Sequence, residues 1–367
     1  MTAMNYPHLS ATRWSPERAQ AWCSSLPWLV GANFTPSTAS NQLEFWQAAT
    51  FDPVTIAREL GWAADLGMTS MRIFLHNLCW EQDPAGFPQR IDQVLTIAEE
   101  RGIGALLVFF DSCWYPDPQP GVQPEPIPRL HNSRWMQSPG AAVVRNAARF
   151  ARLQPYVQGV LTRFAQDRRI HGWDLWNEPE NHSTGKPYEH LDLPVAEKTA
   201  LVTERLAQVF AWAREVAPSQ PLTSGIWQGD FAADHLSPIQ RLQVEASDVL
   251  SFHNYGAPEA LEACIANLAV HGRPLWCSEY MARGAGSTFA GSLPVLHRHR
   301  VGAWNWGLVA GRCQTEYAWE TWITTKTTDP DPWFHEILHG DGTPYHADET
   351  ALIRRLTARR ALSQPGA

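Results

Sequence analysis

The sequence lacks the short motifs that bind the common cofactors. Neither G-x-G-x-x-G nor G-x-x-x-x-G-K-[ST] occurs, so the chain has no typical phosphate site for a dinucleotide or a nucleoside triphosphate. The 14 histidines are spread out along the chain, and the one H-E-x-x-H string, residues 335–339, stands between Pro332 and Gly340 rather than in a helical pattern, which disfavours a catalytic zinc ion. We therefore expect neither a cofactor nor a metal ion.

Charge and export signals are also sparse. Charged residues make up 18% of the chain, the net charge is −8, and Lys and Arg do not cluster, so nucleic acid is not an expected partner. No basic start precedes an apolar run near the N-terminus, and no apolar run has membrane length. The six cysteines form no C-x-x-C pair, which fits a reducing compartment. We expect a cytoplasmic protein without a membrane partner, and nothing in the sequence indicates an oligomeric state.

Tryptophan, in contrast, is abundant, with 18 residues. One interpretation is a Trp-rich core, because indole rings bury large areas wherever they occur. The other is a sugar-binding site, because the apolar face of a pyranose stacks on an indole while its hydroxyls contact polar neighbours. Composition alone leaves both interpretations open.

Short apolar segments alternate with segments of helical periodicity along the whole chain. In one of the latter, Ile91, Val94, Leu95 and Ala98 share a helix face. The eight predicted strands are Leu29–Phe34, Met68–Leu75, Ile103–Asp111, Ile170–Glu178, Pro221–Trp227, Asp248–Tyr255, Arg273–Tyr280 and Arg300–Ala310. This alternation predicts an α/β fold, a (β/α)8 TIM barrel with long βα loops, and residues 1–367 form a single catalytic domain in this interpretation.

Two predicted loops, residues 35–50 and 112–140, exceed the usual βα loop length of roughly 2–6 residues. The second contains seven prolines between Pro116 and Pro139, interleaved with aromatic residues. A disordered insert is one possibility, but the aromatic residues favour a packed wall. Because both loops leave the carboxyl ends of strands, we expect them on the face where barrel enzymes have their active sites.

Two glutamates stand at the ends of predicted strands. In the run Trp173–Pro179 an apolar strand ends in Glu178, followed by a proline that stops it, and Glu279 ends a similar apolar run about 100 residues later. A single Asn-Glu-Pro arises by chance, and a lone strand-end Glu is usually a solvated loop residue. Carboxylates on the fourth and seventh strands of one barrel, however, point into the same cavity. Glycoside cleavage needs such a pair, and a separation of about 5 Å makes one of them a nucleophile.

These motifs resemble the clan A glycoside hydrolases, and most closely glycoside hydrolase family 5, over almost the whole barrel. The resemblance implies a retaining β-glycoside hydrolase with Glu178 as the acid/base and Glu279 as the nucleophile. It also implies five further roles: Asn177 binds the 2-hydroxyl, Arg72 orients the nucleophile, His253 lies beside the acid/base, Tyr255 lies beside the nucleophile, and Trp306 lies under the cleaved sugar. Two alternatives are that Arg72 forms a structural ion pair and that His253 is a core histidine.

The two carboxylates should differ in protonation. Arg72 would keep Glu279 ionised through its opposite charge, and a less polar setting would raise the pKa of Glu178 so that it carries a proton near neutral pH. One group could then attack while the other donates.

The chain departs from the family pattern at the third strand. Many family members have a His there, whereas residues 110–114 offer Asp, Ser and Cys. The usual contact to the 3-hydroxyl of the cleaved sugar is therefore in doubt. Asp111, Trp114, or His76 and Asn77 are candidates to replace it, although Asp111 could equally be buried structure.

The substrate is predicted from two features that the sequence does not show, an export signal and a carbohydrate-binding module. Polysaccharide-degrading relatives are usually exported and often carry a binding module, and this sequence shows neither. It resembles cytoplasmic β-mannosidases that act on mannosyl-β-1,4-N-acetylglucosamine, so we expect an exo-acting enzyme whose partner is a short oligosaccharide. The alternatives are an endo-β-1,4-glycanase (cellulase, mannanase or xylanase), a β-glucosidase of the same clan, and a non-catalytic carbohydrate-binding barrel.

Overall fold

The computed structural model describes residue 9 and residues 12–358. Its strands are β1 (Val30–Asn33), β2 (Ser70–Phe74), β3 (Gly104–Asp111), β4 (Ile170–Asn177), β5 (Leu222–Gly225), β6 (Leu250–His253), β7 (Leu275–Tyr280) and β8 (Gly302–Trp306). They form one sheet in the order β5-β4-β3-β2-β1-β8-β7-β6, and the strand pairs are parallel. A parallel bridge between Ile226 and Phe252 connects the two ends of this order, so the ring is nearly closed. The chain is a single (β/α)8 barrel, as predicted.

Helices precede, connect and follow the strands. They are α1 (Pro16–Ser25), α2 (Gln42–Trp46), α3 (Pro53–Asp65), α4 (Asn77–Gln82), α5 (Gly86–Glu99), α6 (Ala141–Arg145), α7 (Ala147–Ala151), α8 (Gln154–Phe164), α9 (Val195–Val216), α10 (Pro238–Ala246), α11 (Pro258–Ala269), α12 (Phe289–Arg298) and α13 (Ala347–Thr357). Several start with a proline behind a capping side chain. Ser15 and Asp52 accept bonds from backbone amides of the first turn, and Ser237 forms a capping box. Among the residues described, no helix combines the length and the apolar character that crossing a membrane requires.

The strands are buried on both faces. Apart from Trp306, every strand residue is buried, which explains why the sequence shows apolar runs rather than strict alternation. Each of the eight predicted strands contains an observed strand. The eighth was predicted too long, since it ends at Trp306 instead of Ala310. Gly307 follows with a φ of 76°, a conformation that ends the strand and that glycine adopts without strain.

The tryptophans lie both in the core and around a cavity. Trp46, Trp173, Trp176 and Trp304 are among the largest fully buried side chains of the core. Others line a cavity at the carboxyl ends of the strands, namely Trp114, Trp227, Trp306 and Trp319.

Four long loops leave the carboxyl ends of the strands, and those after β3, β4 and β8 line the cavity. We call them the β1 loop (35–50), the β3 loop (112–140), the β4 loop (178–194) and the β8 loop (307–346). The first two were predicted from their length, and the β1 loop contains α2. The β3 loop packs as a wall, with Trp135 buried and a bridge between Asp111 and Ser138 at its base. The other two loops were not predicted from the sequence.

Candidate active site

Glu178 and Glu279 lie at the carboxyl ends of β4 and β7, and both side chains are buried. One carboxylate oxygen of Glu178, one carboxylate oxygen of Glu279 and a ring nitrogen of His253 all lie within 4.8 Å of one another. Glu178 has a φ of 43°, a conformation that is uncommon for residues other than glycine. Such strain is often found at functional sites, where the surrounding structure maintains it.

Glu279 is held by a cation and a phenol. Arg72 Nη1 donates to Glu279 Oε1 at 2.8 Å, and the hydroxyl of Tyr255 donates to Oε2, also at 2.8 Å. Burial raises the pKa of Glu279, while the charge of Arg72 and the bond from Tyr255 act in the opposite direction. Arg72 is itself fixed by Asp174 at 2.8 Å. The contacts therefore favour an ionised, fixed carboxylate at position 279.

The side chains that bond to Glu178 are neutral instead. Its Oε1 lies 2.6 Å from His253 Nδ1, and its Oε2 accepts bonds from Asn181 Nδ2 at 2.6 Å and from the Cys113 thiol at 3.1 Å. Burial raises the pKa of Glu178 and lowers that of His253 to about 4. At neutral pH the histidine is uncharged, so it does not compete with a proton on Glu178.

Asn177 and Asp111 form a buried pair behind the two glutamates. Asn177 Nδ2 donates to Asp111 Oδ1 at 2.9 Å, and Asn177 Oδ1 accepts from Arg72 Nη2 at 2.6 Å. Asp111 also accepts from Trp135 Nε1 at 2.6 Å, and burial raises its pKa to about 6. Asn177 lines the cavity and Asp111 does not. Asp111 thus orients Asn177 rather than facing a substrate, which is the structural alternative considered for it.

His76 and Asn77 lie outside the cavity. His76 caps α4 by accepting from Leu78 N at 3.2 Å, and Asn77 donates to Glu81 at 2.7 Å. Both are buried, and burial lowers the pKa of His76 to about 3. The structure therefore does not bring these two residues to the position of the missing strand-three histidine.

The cavity has a volume of 290 Å³ and lies directly over the two glutamates. Trp306, at the end of β8, forms one of its walls, with Phe74 and Trp135 against the indole at 5.8 and 5.7 Å between ring centroids. Trp114 also lines the cavity. An aromatic cavity of this size with a few polar groups is typical of small-molecule sites.

Three polar residues of this cavity were missed in the sequence. His131 and Asn132 belong to the β3 loop, and His335 belongs to the β8 loop. The Nδ1 atoms of the two histidines bond to backbone oxygens at 2.7 and 2.6 Å, and burial lowers both pKa values. Each neutral ring then presents Nε2 as an acceptor. The side chain of Asn132 is buried and has no partner among the described residues.

The partnerless amide of Asn132 can bind a ligand in this cavity. Leaving a buried polar group without a hydrogen bond costs roughly 1–3 kcal/mol, a cost that ligand hydroxyls would remove. The signal for Asn132 in the sequence was the length of the β3 loop, whereas His335 follows no predicted strand end and was not expected in the site. These residues, not His76 or Asn77, line the cavity together with Trp306.

Within the described part of the chain, Glu178, His253 and Glu279 are the one group of side chains whose donor atoms could share a metal ion. Arg72 places a positive charge 2.8 Å from Glu279, which opposes a cation at this point. The geometry suits proton transfer and nucleophilic attack better than metal binding.

Solved glycoside hydrolase structures have the same fold as this chain. GH5_18 from Streptomyces cattleya, in complex with Manβ1-4GlcNAc, has a TM-score of 0.59 and 12% identity, with 93% of this chain and 82% of that chain covered. An exo-β-1,4-mannosidase from Opitutaceae bacterium strain TAV5 has a TM-score of 0.58 and 17% identity, with 90% of this chain and 59% of that chain covered. A β-1,4-mannanase from the sea hare Aplysia kurodai has a TM-score of 0.54 and 16% identity, with 83% of this chain and 94% of that chain covered. No family sequence model and no curated protein sequence matches the chain. At these identities the likeness establishes the fold.

Proposed function

We propose that the protein is a retaining β-glycoside hydrolase that acts as an exo-β-mannosidase on short β-1,4-linked oligosaccharides such as mannosyl-β-1,4-N-acetylglucosamine. The observation that carries this proposal is the pair Glu178 and Glu279, two buried carboxylates with oxygens within 4.8 Å of each other. That distance suits double displacement, since inverting enzymes separate their carboxyl groups by about 6.5–9.5 Å to admit a water.

In the first step, Glu279 attacks the anomeric carbon while the bond to the glycosidic oxygen breaks. Glu178 gives its proton to that oxygen, and the leaving sugar departs as an alcohol. In the second step, Glu178 takes a proton from water, the water oxygen bonds to the anomeric carbon, and Glu279 is released. Two inversions give a product with the β configuration of the substrate.

The surrounding groups suit these steps. Arg72 and Tyr255 hold Glu279 from both oxygens, which fixes the direction of attack. Asn177 lies in the cavity next to Glu178, as the resemblance implies for a contact to the 2-hydroxyl. Trp306 offers an aromatic face to the cleaved sugar, and Asn132 offers a free amide to its hydroxyls.

The loops support exo action. The β3 and β8 loops bond to each other: Asn132 N donates to Cys313 O at 2.9 Å, and Trp322 Nε1 donates to His131 O at 2.8 Å. Linked loops of this kind close one end of a cleft and leave room for few sugars. An exo-mannosidase and a complex with Manβ1-4GlcNAc are among the solved structures with this fold. Because a β-1,4-mannanase has the same fold, endo action is the main alternative.

The test is a substrate panel with catalytic variants. We expect mannose to be released fastest from mannosyl-β-1,4-N-acetylglucosamine, ahead of soluble mannan and of p-nitrophenyl β-glucoside and β-xyloside. Proton NMR should detect the β anomer first. Glu178→Ala and Glu279→Ala should each lose several orders of magnitude of activity, and azide should rescue Glu178→Ala on an activated aryl glycoside.

Glu197→Ala is the matched control, because Glu197 pairs with Arg145 on the surface at 2.8 Å. It should keep wild-type activity. A rapid fall in the viscosity of mannan would favour an endo-acting enzyme, and an initial α anomer would exclude double displacement. Sugar binding without turnover by the wild type would identify a carbohydrate-binding barrel.

A further inference from the structure

The cavity contains a lysine whose charge has no acidic partner. The chain has three lysines. Lys198 pairs with Asp192 at 3.0 Å, and Lys326 pairs with Glu320 at 2.9 Å. Lys186, in the β4 loop, makes no ion pair and no side-chain hydrogen bond to any residue that the structure describes. It is nevertheless partly buried and lines the cavity beside Glu178.

The acidic groups near Lys186 are engaged elsewhere. Glu189 accepts from a backbone amide four residues before it at 2.8 Å. Asp192 is paired with Lys198. Glu178 accepts from neutral side chains. Burial lowers the pKa of Lys186, as expected for an ammonium that is withdrawn from water without an anion against it.

An aromatic ring holds the ammonium at the cavity wall. Lys186 Nζ lies 4.8 Å from the ring centroid of Trp114, a cation–π contact. The same indole stacks against Trp322, with ring centroids 5.6 Å apart and 24° between the planes. With Lys186 over it and Trp322 stacked on it, Trp114 offers little free face to a sugar. Its arrangement suits the positioning of a charge.

Lys186 lies on the side of the cavity where the leaving group must be. An acid that protonates the glycosidic oxygen has the departing unit next to it. Asn181 and Lys186 both follow Glu178 in the β4 loop and line the cavity, and Asn181 binds Glu178 Oε2. The nucleophile is held by Arg72 and Tyr255, which belong to other strand ends.

We propose that the leaving-group part of this cavity binds a carboxylate through Lys186, so that an acidic departing unit, as in a uronic acid residue, is cleaved faster than a neutral unit of the same shape. This inference rests on the proposed hydrolase function and extends its substrates from neutral disaccharides to acidic ones. A partly desolvated ammonium gains a charge-assisted hydrogen bond from a carboxylate, whereas an uncharged sugar hydroxyl gives it a weaker one.

The experiment compares two aryl glycosides that differ in charge and hardly in shape. They are the 4-carboxyphenyl and 4-carbamoylphenyl β-glycosides of the sugar that the wild type cleaves fastest. The quantity measured is the ratio of their kcat/KM values. We expect Lys186→Met to lower the carboxylate-to-carboxamide ratio about tenfold. Lys186→Arg should largely preserve it, and the control Lys326→Met should leave it unchanged. In the wild type, sodium chloride should lower the ratio.

A ratio that agrees within about twofold between the wild type and Lys186→Met would overturn the anionic site. Should Lys186→Met fail to fold, the wild type decides, because a ratio that does not respond to salt also overturns the site. Failure of the wild type to cleave either glycoside with any sugar of the panel is a different result. It would contradict the hydrolase function and, with it, this inference.

Discussion

At the scale of single residues, what distinguishes the two glutamates is the charge of their partners. Glu279 receives bonds from Arg72 and Tyr255, and burial keeps the phenol protonated by raising its pKa well above the usual value. Glu178 receives bonds from uncharged donors. Direct contact with the charge of Arg72 stabilises an anion at Glu279 against the effect of burial, whereas no charged side chain bonds to Glu178 and burial favours a proton there.

The directions in which activity changes with pH follow from the roles of the two glutamates. Glu279 must be ionised, so activity is lost as the pH falls through its pKa. Glu178 must be protonated, so activity is lost as the pH rises through its pKa. Burial raises both pKa values, which moves both limbs of the kcat/KM profile to higher pH than for exposed carboxyl groups.

Substitution of Cys113 tests the assignment of Glu178 as the acid, because the Cys113 thiol donates to Glu178 Oε2 at 3.1 Å. Burial raises the pKa of Cys113 far above its usual value, so the donor persists at neutral pH. Cys113→Ala removes a bond that stabilises the carboxylate. The pKa of Glu178 should rise, and the alkaline limb of kcat/KM should move up by about half a pH unit.

Cys113→Ser is the matched variant, because a hydroxyl retains a donor at the same place. Its alkaline limb should stay near the wild-type position. The readout is the pH profile on a neutral aryl glycoside, which a merely structural role for the thiol would lower uniformly without moving the limbs. A downward shift in Cys113→Ala would contradict the assignment of Glu178 as the acid.

At the scale of elements, Arg312 joins three loops, two of which, the β3 and β8 loops, line the cavity. From the β8 loop, its guanidinium pairs with Glu44 of the β1 loop at 3.1 Å and with Glu125 of the β3 loop at 2.9 Å. Surface ion pairs are each worth little, but a shared arginine also fixes the loops relative to one another. The proposed exo action depends on this enclosure.

Arg312→Ala should therefore loosen the enclosure without touching the glutamates. We expect activity on the disaccharide to fall severalfold and the ratio of mannotetraose to disaccharide hydrolysis to rise. Arg145→Ala, which breaks a surface pair with Glu197 at 2.8 Å away from the cavity, is the control and should leave the ratio unchanged. An unchanged ratio in Arg312→Ala would show that the loops do not limit substrate length.

At the scale of the whole molecule, Asp248 ties distant parts of the chain together where β6 begins. It is buried, accepts from Trp14 N and Leu222 N at 2.8 Å each, and pairs with Arg214 at 2.8 Å. These partners belong to the N-terminal segment, β5 and α9. Removing one member of a buried charged pair leaves the other uncompensated.

Asp248→Ala should lower the free energy of unfolding by about 3–5 kcal/mol, measured by urea denaturation. The folded fraction should keep the wild-type KM, because Asp248 lies at the opposite end of β6 from His253. Glu99→Ala, on the surface at the end of α5, is the control and should change stability by less than about 0.5 kcal/mol. An equally small effect for Asp248→Ala would contradict its structural role.

The order of strands and helices and the positions of Glu178 and Glu279 at strand ends could be predicted from the sequence alone. Both depend on local features, namely apolar runs, helical periodicity and a polar residue where a run stops. Because parallel strands in a barrel end on the same face, the fold then places the two glutamates at one mouth.

The tertiary structure alone decided which loop residues meet over that mouth. His131 and His335 are more than 200 positions apart, and only the bonding between the β3 and β8 loops brings both to the cavity. Asp111 was ambiguous in the sequence because a strand-end carboxylate can face a ligand or a buried donor, and here it faces Asn177. The sequence also could not predict that Lys186 lacks an acidic partner. Whether a lysine pairs with a carboxylate depends on how the loops pack, which local sequence does not determine.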